Sequence, residues 1–184
     1  MRVGRRWLCR LAATGVLVVA VPAWGQADTA RAERQIKAAF LYKFLGFVEW
    51  PPEAFERGDA PLQVGLFGAD ALADELALVA QRRQVNGRPV QVRKLRAGEP
   101  PTALHALFVG RAEPASGALM AQARRQPLLL LLGDSEDAIA QGAAISFAVV
   151  DDKVRFDVAP LAADQAGLKI SSRLMAVARR VVMP

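Results

Sequence analysis

Acid–base and metal chemistry need histidines, cysteines or clustered carboxylates, and this sequence of 184 residues supplies few of them. Its one histidine, His105, lies inside the apolar run "LHALFVG", and its one cysteine is Cys9. One histidine without cysteines beside it cannot complete a typical zinc site. A Ser-His-acid triad would need one of the five serines next to His105, and no G-x-S-x-G elbow presents one. His105 is therefore read as a structural histidine of a strand. "GLFGADA" places Gly65 and Gly68 at a strand-to-helix turn, where α/β proteins hold phosphates. The fingerprint G-x-G-x-x-G and the lysine of a P-loop are both missing, and Asp70 sets negative charge at that helix start. "GDSED" puts Asp134, Glu136 and Asp137 after a buried strand, without the spacing of a calcium loop. If a ligand crevice exists, Gly68, Gly110 and Asp134 at the strand ends would shape it. No catalytic residue, metal ligand or cofactor-binding motif emerges, and the chain does not read as an enzyme.

The elements that must position these residues begin after a leader. Arg2, Arg5, Arg6 and Arg10 precede the apolar run Leu11 to Val21, and Ala23-Trp24-Gly25 has the small-x-small form of a cleavage site. The apolar run is shorter than the about 20 residues of a spanning helix. Residues 1–25 are thus expected to be a cleavable signal peptide and residues 26–184 one exported domain. Without the four leader arginines, 20 basic side chains face 18 acidic ones, a balance of +2. The overall charge of +6 is largely a property of the leader, so it gives no reason to expect a nucleic-acid partner. Cys9 lies in the leader too, so the expected domain has no disulfide and is held by its core.

Helical spacing of Ile36, Phe40, Phe44, Phe47 and Val48 predicts a helix over 28–48, stopped by Pro51-Pro52. Glu33 and Lys37 form an i,i+4 pair on it. Apolar strands are predicted at "PLQVGLFG", Val90 to Leu95, "LHALFVG" and "PLLLLLGD", with helices at "ADALADELALVAQRR" and "SGALMAQARRQ" between them. "AAISFAVV" and "KVRFDVA" flank Asp151-Asp152 as a hairpin, and "PLAADQAG" and "SSRLMAVARRVV" are predicted to close the chain as helices. Strands that are apolar throughout must be covered on both faces. The expected fold is a single α/β domain with a mostly parallel central sheet, flanking helices, and a C-terminal hairpin and helices.

The stretch "AAFLYKFLGFVEWPPEAF" is apolar nearly all round, which in a helix usually means burial. Its aromatics are also what protein interfaces favour near their centres. One flank, with Trp50 and Pro52, is expected in the core. Phe40, Tyr42, Lys43, Phe47 and Trp50 are the candidates for partner contact. Such a patch would serve a symmetric homodimer as well.

"IKAAFLYKFLGFVEWP" and "RFDVAPLAADQAGLKISSRLMAVAR", with "LHALFVG" and "DSEDAIAQGAAISF" between them, resemble the signature blocks of the YfiR-like proteins. The resemblance runs from about Glu33 to Val181. It implies a periplasmic, non-enzymatic α/β protein that represses an inner-membrane diguanylate cyclase by binding its periplasmic region. It also implies an outer-membrane, peptidoglycan-associated lipoprotein that sequesters the repressor. Repression would lower cyclic-di-GMP and biofilm formation. Where family members often carry a cysteine this chain has Leu104, and where others carry asparagine it has Ala159. The first difference removes a thiol switch at that position. A different class of function, a periplasmic small-ligand sensor using the Gly68, Gly110 and Asp134 crevice, is the alternative.

Overall fold

A computed structural model of the chain describes residues 24–111 and 113–183. The predicted signal peptide falls, apart from Trp24 and Gly25, outside the described residues. Helix α1 (Trp24–Gly46) leads into a short strand β1 (Val48–Glu49) and a 3-10 turn at Pro52–Ala54. Strand β2 (Leu62–Phe67) and helix α2 (Asp70–Ala80) are followed by the hairpin β3 (Gln84–Val85) and β4 (Arg88–Leu95). Asn86 and Gly87 take positive φ at its two-residue turn, the conformation that an Asn-Gly pair favours. Then come β5 (Ala106–Val109), α3 (Ser116–Ala123) and β6 (Leu130–Gly133), and the hairpin β7 (Ile145–Val150) and β8 (Lys153–Val158). Helix α4 (Pro160–Gln165), β9 (Lys169–Ile170), α5 (Ser172–Met175) and β10 (Arg180–Val181) end the fold.

Eight strands form one sheet in the order β10-β8-β7-β6-β5-β2-β4-β3, and β1 pairs separately with β9. The pairs from β4 through β2, β5 and β6 to β7 are parallel; β7 with β8 and β3 with β4 are antiparallel. The single α/β domain with a mostly parallel sheet is therefore the architecture that the strand composition predicts. Alternate residues of β5 and β6 enter two separate cores. Ala106, Phe108, Leu130 and Leu132 face the side that carries α1 and α2, and Leu107, Val109, Leu129 and Leu131 face α3. Each strand reads as an unbroken apolar run because neither face meets water.

Helix α1 docks through an aromatic cluster. The Phe44 ring lies 4.8 Å from Phe156 and 5.6 Å from Phe147, and Phe40 lies 5.5 Å from Phe156. One turn above, Lys37 is only 4% exposed. Its ammonium donates to Asp134 at the end of β6 at 2.6 Å and pairs with Glu33 at 2.6 Å. A buried ammonium is tolerated when its charge is matched and its protons are bonded, so this pair sets how far α1 slides along the sheet.

Three segments depart from the sequence reading. The first helix ends at Gly46, because Val48 and Glu49 pair with Ile170 and Lys169 instead. Pro52, expected in the core, is exposed. The last predicted helix stops at Met175, capped by the Ser171 hydroxyl, and Arg180–Val181 become a strand parallel to β8. Asp157 decides this last case: Arg179 and Arg180 both reach its carboxylate at 2.6–2.7 Å, and β8 otherwise has an open edge.

Replacing Glu33 or Asp134 by alanine leaves Lys37 one partner, and each change should cost about 1–1.5 kcal/mol in urea unfolding. The double replacement strands a buried charge and should cost about 3–5 kcal/mol, more than the two together. Strict additivity would show that the two carboxylates do not share one ammonium.

Candidate functional site

His105 precedes β5 at the N-terminal end of the sheet and is 8% exposed. Its Nδ1 accepts from the Gln63 N–H at 3.0 Å, so the proton of the neutral ring sits on Nε2, which donates to the Ala54 carbonyl at 3.0 Å. Phe55 stacks on the imidazole at 4.5 Å, and the Arg88 guanidinium lies 3.6 Å from the Phe55 ring centre. Arg88 also donates to the Ala60 carbonyl at 2.7 Å, and the Trp50 indole donates to the His105 carbonyl at 3.3 Å. Histidine, phenylalanine and arginine together fasten segment 50–61 to the sheet. Burial lowers the His105 pKa, the Ala54 carbonyl partly offsets this, and the Arg88 charge lowers it further. Both ring nitrogens are thus hydrogen-bonded within the protein. Leu104 lies over Gly65, where a Cβ would meet its Cδ1 at 2.6 Å, so this leucine fills the space that the glycine leaves. A hollow of about 560 Å³ is lined by His105 itself together with Glu53, Arg57, Arg93, Leu104 and Leu128.

At the opposite end of the sheet, β2 has β4 on one side and β5 on the other, so the strand order reverses between β2 and β5. Doubly wound folds place ligands at such a point. Gly68 and Gly110 meet here, so tightly that a Cβ on Gly110 would stand 2.5 Å from the Gly68 carbonyl oxygen. The Gly110 N–H donates to the Phe67 carbonyl at 2.8 Å, and Glu113 lies across Gly68. Arg96 pairs with Asp70 at 2.9 Å on the rim. Asp134 ends β6, two strands from β2, with its carboxylate on Lys37. The fold thus brings two of the three crevice residues together, in backbone contact, and gives the third to α1.

The five partner-contact candidates divide by exposure. Phe40 stacks on the core phenylalanines, Phe47 packs against the same core, and Trp50 is tied to His105. Tyr42 is half-buried, donates to the Gln84 carbonyl at 3.0 Å and carries Arg83 at 5.9 Å from its ring centre. Lys43 is exposed. Ile36, Ala39, Lys43 and Gly46, spaced three and four apart, form the outward stripe of α1.

One site was missed in the sequence. Asp157 is 2% exposed, and the hydrogen bonds from Arg179, with Arg180 assisting against the opposing cost of burial, hold its carboxyl below the usual range. The signal for it was an acid in the alternating strand "KVRFDVA" and an Arg-Arg pair near the end, whose contact depends on the tertiary fold.

The two shifts give the protein a directional pH response. His105 takes up a proton more readily in the unfolded chain than in the folded one. Its contribution to stability is complete above the ordinary value of 6.5 and declines as pH falls below it. Asp157 contributes above its ordinary value of 3.8 and loses that contribution as pH falls through its depressed pKa. His105→Gln should flatten the loss of stability as pH falls below about 6.5 while costing about 1–3 kcal/mol at neutral pH. An unchanged slope in denaturant titrations across that range would exclude His105 as its source.

Comparison with known proteins places this geometry. A search of curated proteins returned no significant match. Among solved structures, a conserved domain protein from Vibrio cholerae O1 biovar eltor superposes with a TM-score of 0.53 at 12% identity. The alignment covers 81% of this chain and 60% of that one, so this chain spans about three fifths of it, and the likeness is one of fold. Residues 34–179 match the model of the family described as YfiR/HmsC-like, from the middle of α1 to the residue before β10. The chain belongs to the YfiR/HmsC-like family, a family of diguanylate cyclase regulators.

Proposed function

We propose that this protein is a periplasmic repressor of an inner-membrane diguanylate cyclase. It acts by binding the cyclase's periplasmic sensor region and so lowers cyclic-di-GMP and biofilm formation. The observation that carries the reading is the family match over residues 34–179. The basic and apolar leader ending at Ala23-Trp24-Gly25 supports export, and no helix among the described residues is long and apolar enough to cross a membrane. The use of His105, Asp134 and Asp157 as internal ties supports action by contact rather than by catalysis. Repression is relieved when a second envelope protein, of the outer-membrane lipoprotein type, takes up the repressor.

Deleting the gene should raise intracellular cyclic-di-GMP severalfold, and restoring the full exported chain should return it to the starting level. A version lacking residues 1–25 should fail to restore it. Unchanged cyclic-di-GMP in the deletion, under resting and envelope-stress conditions alike, would overturn the reading.

A further inference from the structure

A groove of about 440 Å³ runs between the end of α3, the turn at 139–142, the start of α4 and the segment after β10. Its lining is mixed: Ile139, Leu161, Ala162, Val182 and Met183 supply the apolar part, and Arg124, Arg125 and Gln165 the polar part. Leu161 is 42% and Met183 71% exposed. Arg124 and Arg125 stand over it, no carboxylate lines it, and neither arginine has an ion-pair partner among the described residues. Gly142, at φ +103°, lets the Arg124 stem lie flat: a Cβ there would come within 3.0–3.2 Å of that side chain. A second arginine-lined hollow, at Arg82 and Arg83, differs, because Arg83 already lies over Tyr42 and no exposed large apolar side chain lines it.

We infer that this groove is the contact surface for an extended acidic segment of a partner protein, one that seats an apolar side chain on Leu161 and Met183. Two exposed guanidiniums, without an ion-pair partner among the described residues, beside apolar side chains select a carboxylate next to an apolar group. Val177 and Val181 are also exposed on the C-terminal segment, and β10 is the last strand of the sheet. An edge strand flanked by exposed apolar side chains suits a peptide better than a compact small molecule. The inference rests on the proposed action through protein contact and names the surface that makes it.

The test uses the full exported chain purified from periplasm, with its methionine methyls carbon-13 labelled. The probe peptide is Asp-Leu-Glu-Phe-Asp, and the control is Asn-Leu-Gln-Phe-Asn. The acidic peptide should move the Met183 methyl resonance saturably while leaving those of Met120 and Met175 in place. The shift should vanish in the doubly substituted Arg124→Glu, Arg125→Glu protein and weaken as salt rises. Both arginines are exposed, so this variant should melt with the wild type. Equal response to the control peptide, no response at all, or arginine-dependent sedimentation with phosphatidylglycerol vesicles in place of the peptide response would overturn the inference. The same variant is then titrated with the purified periplasmic domain of the cyclase. Binding weakened by about tenfold or more is expected. Binding that persists undiminished would overturn the groove while leaving the repressor reading intact. Failure of the wild type to bind that domain, with the peptide response present, would count against the repressor reading alone.

Discussion

The seating of α1 on the sheet is the constraint on which the rest of the structure depends. Phe44, 1% exposed, fills the space between Phe147 and Phe156, and Lys37 fixes the helix lengthwise against Asp134. The aromatic contacts supply most of the stabilisation, because burying a side chain of that size is worth about 1.5–3 kcal/mol. The ion pair adds position more than energy, since a buried pair spends most of its Coulomb gain on desolvation. With α1 in place, Tyr42 reaches β3, Val48 and Glu49 pair with β9, and Trp50 closes over His105.

Polar groups that could have done chemistry are instead joints between elements. His105 ties β5 to β2 and to the 3-10 turn, Asp134 ties β6 to α1, and Asp157 ties β8 to the C-terminal segment. Among the described residues no buried side-chain nitrogen or oxygen lacks a hydrogen-bond partner. At the reversal point between β2 and β5 Gly110 closes on Gly68, and a hollow lies on either side of the contact, of about 430 Å³ beside Gly68 and about 350 Å³ beside Gly110.

The groove at the C-terminal edge of the sheet is shaped by the same joints. The two arginines on Asp157 hold β10 against β8, and this brings Val182 and Met183 beside Leu161 and Ile139. Stability at one end of the sheet and the composition of the exposed groove thus have a common cause.

Residue types alone determined the cores, the order of the main strands and helices, and the hairpin turns. Continuous runs such as Leu129 to Leu132 demand cover on both faces, and Asn86-Gly87 and Asp151-Asp152 suit positive φ. The family blocks were legible for a similar reason, because their pattern is the packing pattern of α1 and of β8 through α5. Tertiary structure alone decided which polar residues meet. Lys37 and Asp134 are 97 positions apart, Gly68 and Gly110 meet only because β2 and β5 are neighbours, and Arg179 leaves the helical pattern to reach Asp157. Local periodicity reports which side of an element is buried, whereas the partner of a buried charge is chosen by how the elements stack.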